Sequence, residues 1–182
     1  MKIVIGTPLY PPDIAQPAPY VKELGNRLAQ AGHSIVIVAY AHLPEKIPGV
    51  KIIAINKNQP LFVRLSAYTK KLWNEVKKAD VVYIQNGASV ELPAFLISFF
   101  SKKPLFIGIS DPNTHMKVKQ NFFLAFIENM AKRKVRGLIT DIPPNRPEIL
   151  LFKDTPIAEQ TAYESSWKNH IKKLIETFGY AT

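Results

Sequence analysis

Met1-Lys2-Ile3-Val4-Ile5-Gly6 opens the sequence, and Ser34-Ile35-Val36-Ile37-Val38-Ala39 follows after one helical stretch. Consecutive apolar residues, as in the second segment, are typical of a parallel strand that is covered on both faces. Between the two segments, apolar residues recur at steps of three and four, which predicts a helix over Tyr20–Ala31. Strand, helix and strand in this order predict a βαβ unit.

The same alternation continues along the chain. Further strands are predicted at Val50–Ile55, Asp80–Gln85, Pro104–Ile109 and Arg136–Thr140, and helices at Pro60–Lys78, Ser89–Ser101, Gln120–Lys134, Pro144–Phe152 and Ser165–Thr177. This order predicts an α/β fold with a doubly wound, mainly parallel sheet of about six strands and helices on both faces. We expect residues 1–152 to form one Rossmann-like domain. Residues 153–182 should form a connector, irregular over Lys153–Glu164, and a C-terminal helix that packs back on that domain.

Composition excludes several classes of protein. The chain of 182 residues has no cysteine, which excludes a disulfide framework and a thiolate metal site. The four histidines lack metal-ligand spacing, so no metal is predicted. Neither G-x-G-x-x-G nor G-K-[ST] is present, so no cofactor is predicted either. The longest apolar stretches, such as Leu92–Phe100, are too short to span a bilayer, and no signal peptide pattern opens the sequence. We therefore expect a cytoplasmic protein, either free or peripheral at a membrane.

The formal net charge of +10 is unevenly distributed. Residues 61–140 hold thirteen basic and five acidic side chains, and supply most of the excess. An anionic membrane surface or a phosphorylated or glycan acceptor would suit such a region, although a merely solvated surface explains it equally well. Nucleic acid is the least favoured partner because no nucleic-acid-binding motif is present. The candidate anionic-surface residues are Arg64, Lys70, Lys71, Lys77, Lys78, Lys132, Arg133, Lys134 and Arg136.

Ligands of doubly wound sheets bind at the carboxyl ends of the strands. That rule singles out the loops Gly6–Pro19, Ala39–Pro44, Gln85–Ser89 and Ser110–Thr114. Tyrosine, carboxylate and amide side chains there are suited to stacking on carbohydrate and hydrogen-bonding it, but a rigid proline-rich loop and an ordinary strand-to-helix turn explain the same residues. The candidate substrate-binding residues are Tyr10, Asp13, Gln16, Tyr20, Gln85, Asn86 and Ser110.

Five segments together resemble the N-terminal domain of retaining glycosyltransferases of family 4, which have the two-domain GT-B fold. They are Tyr10-Pro11-Pro12-Asp13-Ile14 with the strand before it, Tyr20–Leu24, Ala29–Val38 around a Gly-His turn, Ala79–Ile84 and Val135–Thr140. In that family the N-terminal domain binds the acceptor and the C-terminal domain binds the nucleotide-sugar. Glu164–Leu174 resembles the family's closing helix, which crosses back onto the N-terminal domain. The resemblance implies an acceptor-side domain that keeps the crossover helix and lacks the donor domain, although an ordinary amphipathic C-terminal helix is the alternative.

Two positions depart from the family pattern. Ala15 and Gln16 stand where the family has a Gly-Gly pair, and their Cβ atoms obstruct the approach of backbone N–H groups to donor phosphates. Ser110 stands where the family often has a histidine near the acceptor hydroxyl. Asp111 and His115 are the remaining catalytic candidates there, although Asp111 before Pro-Asn is more typical of a turn and His115 of a solvated loop.

The sequence therefore predicts a glycosyltransferase-like, acceptor-side domain that is inactive alone. It would act with a separate donor-domain subunit, or it would be a degenerate relative. A non-catalytic module that binds glycans or anionic membranes is the alternative, and a homo-oligomeric scaffold is another. If a donor subunit docks, an apolar patch should be exposed beside the loops at the carboxyl ends of the strands.

Overall fold

The computed structural model describes residues 1–109, 135–140, 142–143 and 157–182. The helices predicted at Gln120–Lys134 and Pro144–Phe152 lie outside the described residues, as does the candidate site stretch from Ser110 to His115.

The described strands form one parallel sheet. Its order is β3-β2-β1-β4-β5-β6, and every neighbouring pair is parallel. The order changes direction between β1 and β4, which places the topological switch point there. The predicted α/β fold with a doubly wound parallel sheet is confirmed. The strands are β1 Lys2–Thr7, β2 Ser34–Tyr40, β3 Val50–Ile55, β4 Val81–Gln85, β5 Leu105–Gly108 and β6 Gly137–Ile139.

Two helical layers cover the sheet. Alternate residues of β1 show the division, since Ile3 and Ile5 pack on one face while Val4 packs on the other. Helices α1 Ala18–Gln30 and α4 Ile157–Gly179 cover the first face. Helices α2 Leu61–Val76 and α3 Ala88–Ser98 cover the second. Because both faces are buried, the central strands need apolar residues at consecutive positions.

Helix α4 begins at Ile157, so the prediction of an irregular connector was wrong from that residue onward. The extra turns have a tertiary cause, because Tyr163 lies one turn before Trp167 and both rings are within reach of the Arg27 guanidinium. Arg27 also donates two hydrogen bonds to Glu164, at 2.8 and 2.9 Å. Among the described residues, no helix is both long enough and apolar enough to cross a membrane.

A buried carboxylate ties α2 to the amino ends of the strands. Glu75 accepts hydrogen bonds from the Nζ atoms of Lys51 at 2.5 Å and Lys2 at 3.4 Å. The hydrogen bond from Lys51 is the main cause that lowers the pKa of Glu75, and Lys2 adds to it.

Gly108→Ala should destabilise the sheet by about 1–3 kcal/mol, because a Cβ there would overpack the core. That Cβ would lie 2.7 Å from Tyr83 Cζ and 2.9 Å from Gln85 Nε2, and both side chains are fully buried. Gly137→Ala on β6 is the matched control, because the nearest atom to its Cβ is Phe106 Cδ1 at 3.4 Å. Urea denaturation of both variants checks the difference, and equal stabilities would contradict it.

Glu75→Gln should lower the free energy of unfolding at neutral pH by about 1–3 kcal/mol, since two ammonium groups lose a charged partner. The folded-state pKa of Glu75 lies below its ordinary value of 4.5, so its stabilisation is present above that pH and is lost as pH falls through the folded-state pKa. The variant should therefore lose less stability than the wild type on acidification. Urea denaturation at pH values above and below 4.5 measures the free energy of unfolding of the wild type and the variant. Glu176→Gln, at an exposed position on α4, is the control.

Candidate functional site

Loops that follow neighbouring strands are fastened together at the carboxyl edge of the sheet. The backbone N–H of Glu45, after β2, donates to the Pro11 carbonyl, after β1, at 3.2 Å. Lys57, after β3, donates to Asp13 Oδ1 at 2.7 Å. The side chain of Glu45 also pairs with Lys22. These contacts hold the three loops as one surface.

Asp13 and Gln16 lie in the loop after β1, and both are partly exposed. The Asp13 carboxylate is already paired with Lys57, so a ligand there would meet a carboxylate whose position is set by that ammonium. Gln16 precedes Pro17, which occupies the N-cap position of α1. Substrate binding by these two residues stays a prediction.

The start of α1 has few N–H groups to offer to a phosphate. The N–H of Ala18 donates to the Ala15 carbonyl at 2.9 Å, and Pro19 has no N–H. The Val21 N–H already bonds the Pro17 carbonyl at 3.0 Å. Helix N-termini bind anions through unused N–H groups, and these three positions supply none.

At the switch point, the loops after β1 and β4 close on each other. Gly87 has φ of +149°, and a Cβ there would lie 3.1 Å from the Pro8 ring. The Asn86 N–H donates to the Gly108 carbonyl at 2.8 Å, which extends the pairing of β4 with β5. Gln85 and Asn86, predicted as substrate-binding residues, are both buried beneath this edge. The Gln85 side chain acts on the Tyr83 hydroxyl and opposes the rise that burial causes in the pKa of that hydroxyl, so Gln85 interacts within the core.

Tyr20 lies in the core rather than on a ligand surface. Its hydroxyl is 3.0 Å from the Tyr83 hydroxyl and 2.9 Å from His170 Nε2. Its ring stacks on Trp167 with centroids 5.6 Å apart. Burial raises the pKa of Tyr83 to about 12 and that of Tyr20 well above its usual range, so both hydroxyls stay neutral. The substrate-binding interpretation of Tyr20 does not fit this placement.

Tyr10 is also fully buried. Its ring belongs to the core cluster beneath the loop after β1, and burial is the main cause that raises the pKa of its hydroxyl. Tyr10 therefore supports the loop from below, and does not form part of the exposed edge to which the sequence assigns it.

The predicted anionic-surface residues fall into separate groups. Arg64 donates from Nη1 to the Lys57 carbonyl at 2.9 Å and lies over the Tyr40 ring. It therefore stabilises the loop after β3. Arg136 is exposed beside β6. Lys132, Arg133 and Lys134 lie outside the described residues. The remaining four are exposed on and just beyond α2, namely Lys70, Lys71, Lys77 and Lys78.

Two exposed apolar residues at the carboxyl edge were not among the predicted site residues. Ile14, next to Asp13, is 90% exposed, and Leu43, after β2, is 79% exposed. Leu43 also has φ of +54°, a conformation that residues other than glycine seldom adopt. The sequence hypothesis of a docked donor subunit predicted apolar exposure in this region, although nothing in the His-Leu-Pro sequence identified Leu43.

Metal binding has no support in the described part of the chain, where no three His, Asp or Glu side chains cluster closely enough to hold an ion. Among the described residues of the loop after β1 and the loop after β2, Asp13 and Gln16 can hydrogen-bond a ligand, and Ile14 and Leu43 can make apolar contacts.

No family model matches the chain, and no curated protein matches it. Solved structures do share its fold. A protein described as a UDP-N-acetylglucosamine 2-epimerase from Listeria monocytogenes superposes with a TM-score of 0.55 at 15% identity, over 77% of this chain and 38% of that one. Anabaena HepE in complex with UDP gives a TM-score of 0.52 at 17% identity, over 78% of this chain and 38% of that one. HepE in complex with UDP and glucose gives 0.50 at 16% identity, with the same coverage. The chain therefore has a GT-B-like, Rossmann-type fold, and it spans 38% of the length of these structures.

Tyr20→Phe should lower the free energy of unfolding by about 1–3 kcal/mol, because Tyr83 and His170 each lose a buried hydrogen-bond partner. Tyr180→Phe is the matched control, since Tyr180 is 93% exposed. Urea denaturation of both variants measures the change. If Tyr20 instead served a ligand, its variant would be as stable as the control.

Proposed function

We propose that this chain is the acceptor-side half of a glycosyltransferase of the GT-B type, and that a donor-binding domain on a separate chain docks at the carboxyl edge of its sheet. The observation that carries the proposal is the pair of exposed apolar residues, Ile14 and Leu43, held at that edge by fastened loops.

The fold supports this assignment. HepE has been solved with UDP and with UDP and glucose, and the region similar to this chain makes up 38% of it. By analogy, the described domain would be one wall of a cleft, and a second domain would supply the other wall. Ligands in such folds lie outside the carboxyl ends of the strands, which is the edge where Ile14 and Leu43 project.

The conformation of Leu43 favours a binding role over chance exposure. An exposed leucine forgoes about 1.5–3 kcal/mol of burial, and a positive φ adds a backbone cost of about 1–2 kcal/mol. This loop bears both the exposure of Leu43 and its backbone cost, and it is held in place because Glu45 is bonded to Lys22 and Pro11. A constrained loop of this kind is typical of a preorganised binding surface.

The start of α1 indicates which domain would bind the donor and which the acceptor. Because Ala18 and Val21 use their N–H groups internally and Pro19 has none, the start of α1 contributes little to binding the donor phosphates. The docked domain would hold the nucleotide-sugar, and this chain would orient the acceptor through Asp13 and Gln16.

Sugar transfer forms a bond between the acceptor oxygen and the anomeric carbon, and breaks the bond from that carbon to the nucleotide phosphate. The hydroxyl proton must pass to a base or to the departing phosphate oxygen. We propose Asp111 or His115 as the group on this chain that takes it or orients the hydroxyl. Both residues follow β5 in the sequence.

The test combines binding with catalysis. The purified chain is mixed with each donor-domain protein of GT-B type from the source organism, and complexes are separated by size exclusion. Transfer from UDP-glucose and UDP-N-acetylglucosamine is then assayed for each component and for the mixture. We expect a one-to-one complex and transfer by the mixture alone. If no donor domain binds and no mixture is active, the proposal fails.

Leu43→Asp and Ile14→Asp should each weaken the complex with the donor domain by about tenfold or more, because a buried leucine or isoleucine contributes about 1.5–3 kcal/mol. Isothermal titration of the donor domain measures the dissociation constants. Phe100→Asp is a control with similar exposure, because Phe100 is 81% exposed just beyond α3, which runs away from the carboxyl edge, and this variant should bind like the wild type. Unchanged affinity of both edge variants would contradict docking at this edge.

A further inference from the structure

A second exposed apolar surface lies on the outer side of α2 and α3, away from the candidate site. A groove of about 650 Å³ runs between the two helices, and Trp73, Leu96 and Phe100 line it. Phe100 is 81% exposed, and its ring meets the edge of Trp73 with centroids 6.5 Å apart. Phe99 is exposed beside it. We call these residues the α2–α3 groove.

Basic side chains predominate in the segment that forms the groove. Residues 61–109 hold seven basic and three acidic side chains. Two of the acids, Glu75 and Glu91, are buried, and Asp80 accepts a hydrogen bond from the Lys2 backbone at 2.7 Å. Lys70 lines the groove, and the other exposed lysines of this segment are Lys71, Lys77, Lys78, Lys102 and Lys103.

The composition of this surface favours a lipid bilayer over another protein. Lysine is depleted in the buried centre of protein interfaces, whereas here Lys70 lines the groove and the Lys77 ammonium lies 4.9 Å from the centre of the Trp73 ring. Membrane–water interfaces of proteins combine tryptophan and phenylalanine with lysine. The aromatic rings enter the headgroup layer, and the lysine side chains extend so that their ammonium groups lie at its surface.

The direction of the helices keeps this surface apart from the candidate site. Helix α3 begins at Ala88, beside the carboxyl end of β4, and runs back toward the amino ends of the strands. Its last residues and the neighbouring Phe99 and Phe100 therefore lie far from Ile14 and Leu43. A bilayer and a docked donor domain could be bound together.

We propose that the α2–α3 groove docks the protein on an anionic bilayer, with Phe99 and Phe100 inserted among the headgroups and the six lysines on the lipid phosphates. This assignment is independent of the proposed transferase role. It extends the sequence-based expectation, which rested on charge alone, because Trp73, Leu96, Phe99 and Phe100 supply the apolar half of the contact.

Vesicle sedimentation of the full chain tests the proposal. One set of vesicles is phosphatidylcholine alone, and the other contains phosphatidylcholine with phosphatidylglycerol. We expect binding to the anionic vesicles at low salt, weakening as salt rises. Tryptophan emission should shift to shorter wavelength on binding, and the shift should come from Trp73, because Trp167 is already buried. No binding to anionic vesicles at low salt would overturn the proposal.

Two variants test the apolar and the charged parts separately. Phe100→Asp should lower the partition coefficient about tenfold or more, and Tyr180→Asp, equally exposed on the other side of the molecule, should not change it. The pair Lys102→Glu and Lys103→Glu should lower it by about tenfold or more, since each lysine near the surface contributes roughly fivefold. Lys168→Glu, on α4, is the charge control.

Equal binding by the wild type and by both groove variants would overturn the assignment of the surface. A concentration-dependent dimer that Phe100→Asp abolishes, with no vesicle binding, would assign the groove to a second copy of the chain and overturn the lipid proposal. The donor-domain assays contain no vesicles, so their result is obtained separately from this one.

Discussion

The hydroxyl of Tyr20 joins three elements that are distant in the sequence. It meets Tyr83 on β4, 63 residues later, and His170 on α4, 150 residues later. A parallel sheet is stable only when both of its faces are covered, and α4 completes the cover over β4 and β5, where Phe178 packs on Tyr83 and Phe106. The hydroxyl bonds set the position of α4, and the buried rings supply most of the free energy. The position of α1, and with it the loop after β1, follows from the same contact.

This arrangement explains which parts of the molecule could be predicted from the sequence. Strands such as β2 were evident because burial on both faces requires consecutive apolar residues, and that requirement is local. The start of α4 was not evident, because Ile157–Glu164 is stabilised by Arg27 of α1, far away in the sequence. Tyr20 was assigned to a ligand surface because a tyrosine in a proline-rich loop suits carbohydrate. Its true partner, His170, cannot be recognised from nearby residues.

The candidate site follows the same division. Its location was predictable, because a parallel sheet brings every carboxyl end to one edge and ligands bind there. The burial and the bonding partner of each side chain in the site could not be predicted. Asp13 is fastened to Lys57, Arg64 to the Lys57 carbonyl, and Gln85 is buried, and each of these depends on which loop lies next to which. The exposure of Leu43 depends in turn on those fastened loops, since a mobile loop at that edge would fold its apolar side chain inward.

The layers of the fold fix the position of the carboxyl edge, with Ile14 and Leu43, relative to the α2–α3 groove. If α2 and α3 rest on a bilayer, the sheet lies one helix layer above it, about 10 Å, with α1 and α4 on the far side. The carboxyl edge then opens sideways, parallel to the bilayer plane. A donor domain that contacts Ile14 and Leu43 would approach along the membrane surface, and an acceptor carried on a lipid would need to rise only by about one helix diameter to reach the edge. An acceptor embedded more deeply would be out of reach, so the layered geometry itself favours acceptors whose hydroxyl lies above the headgroups.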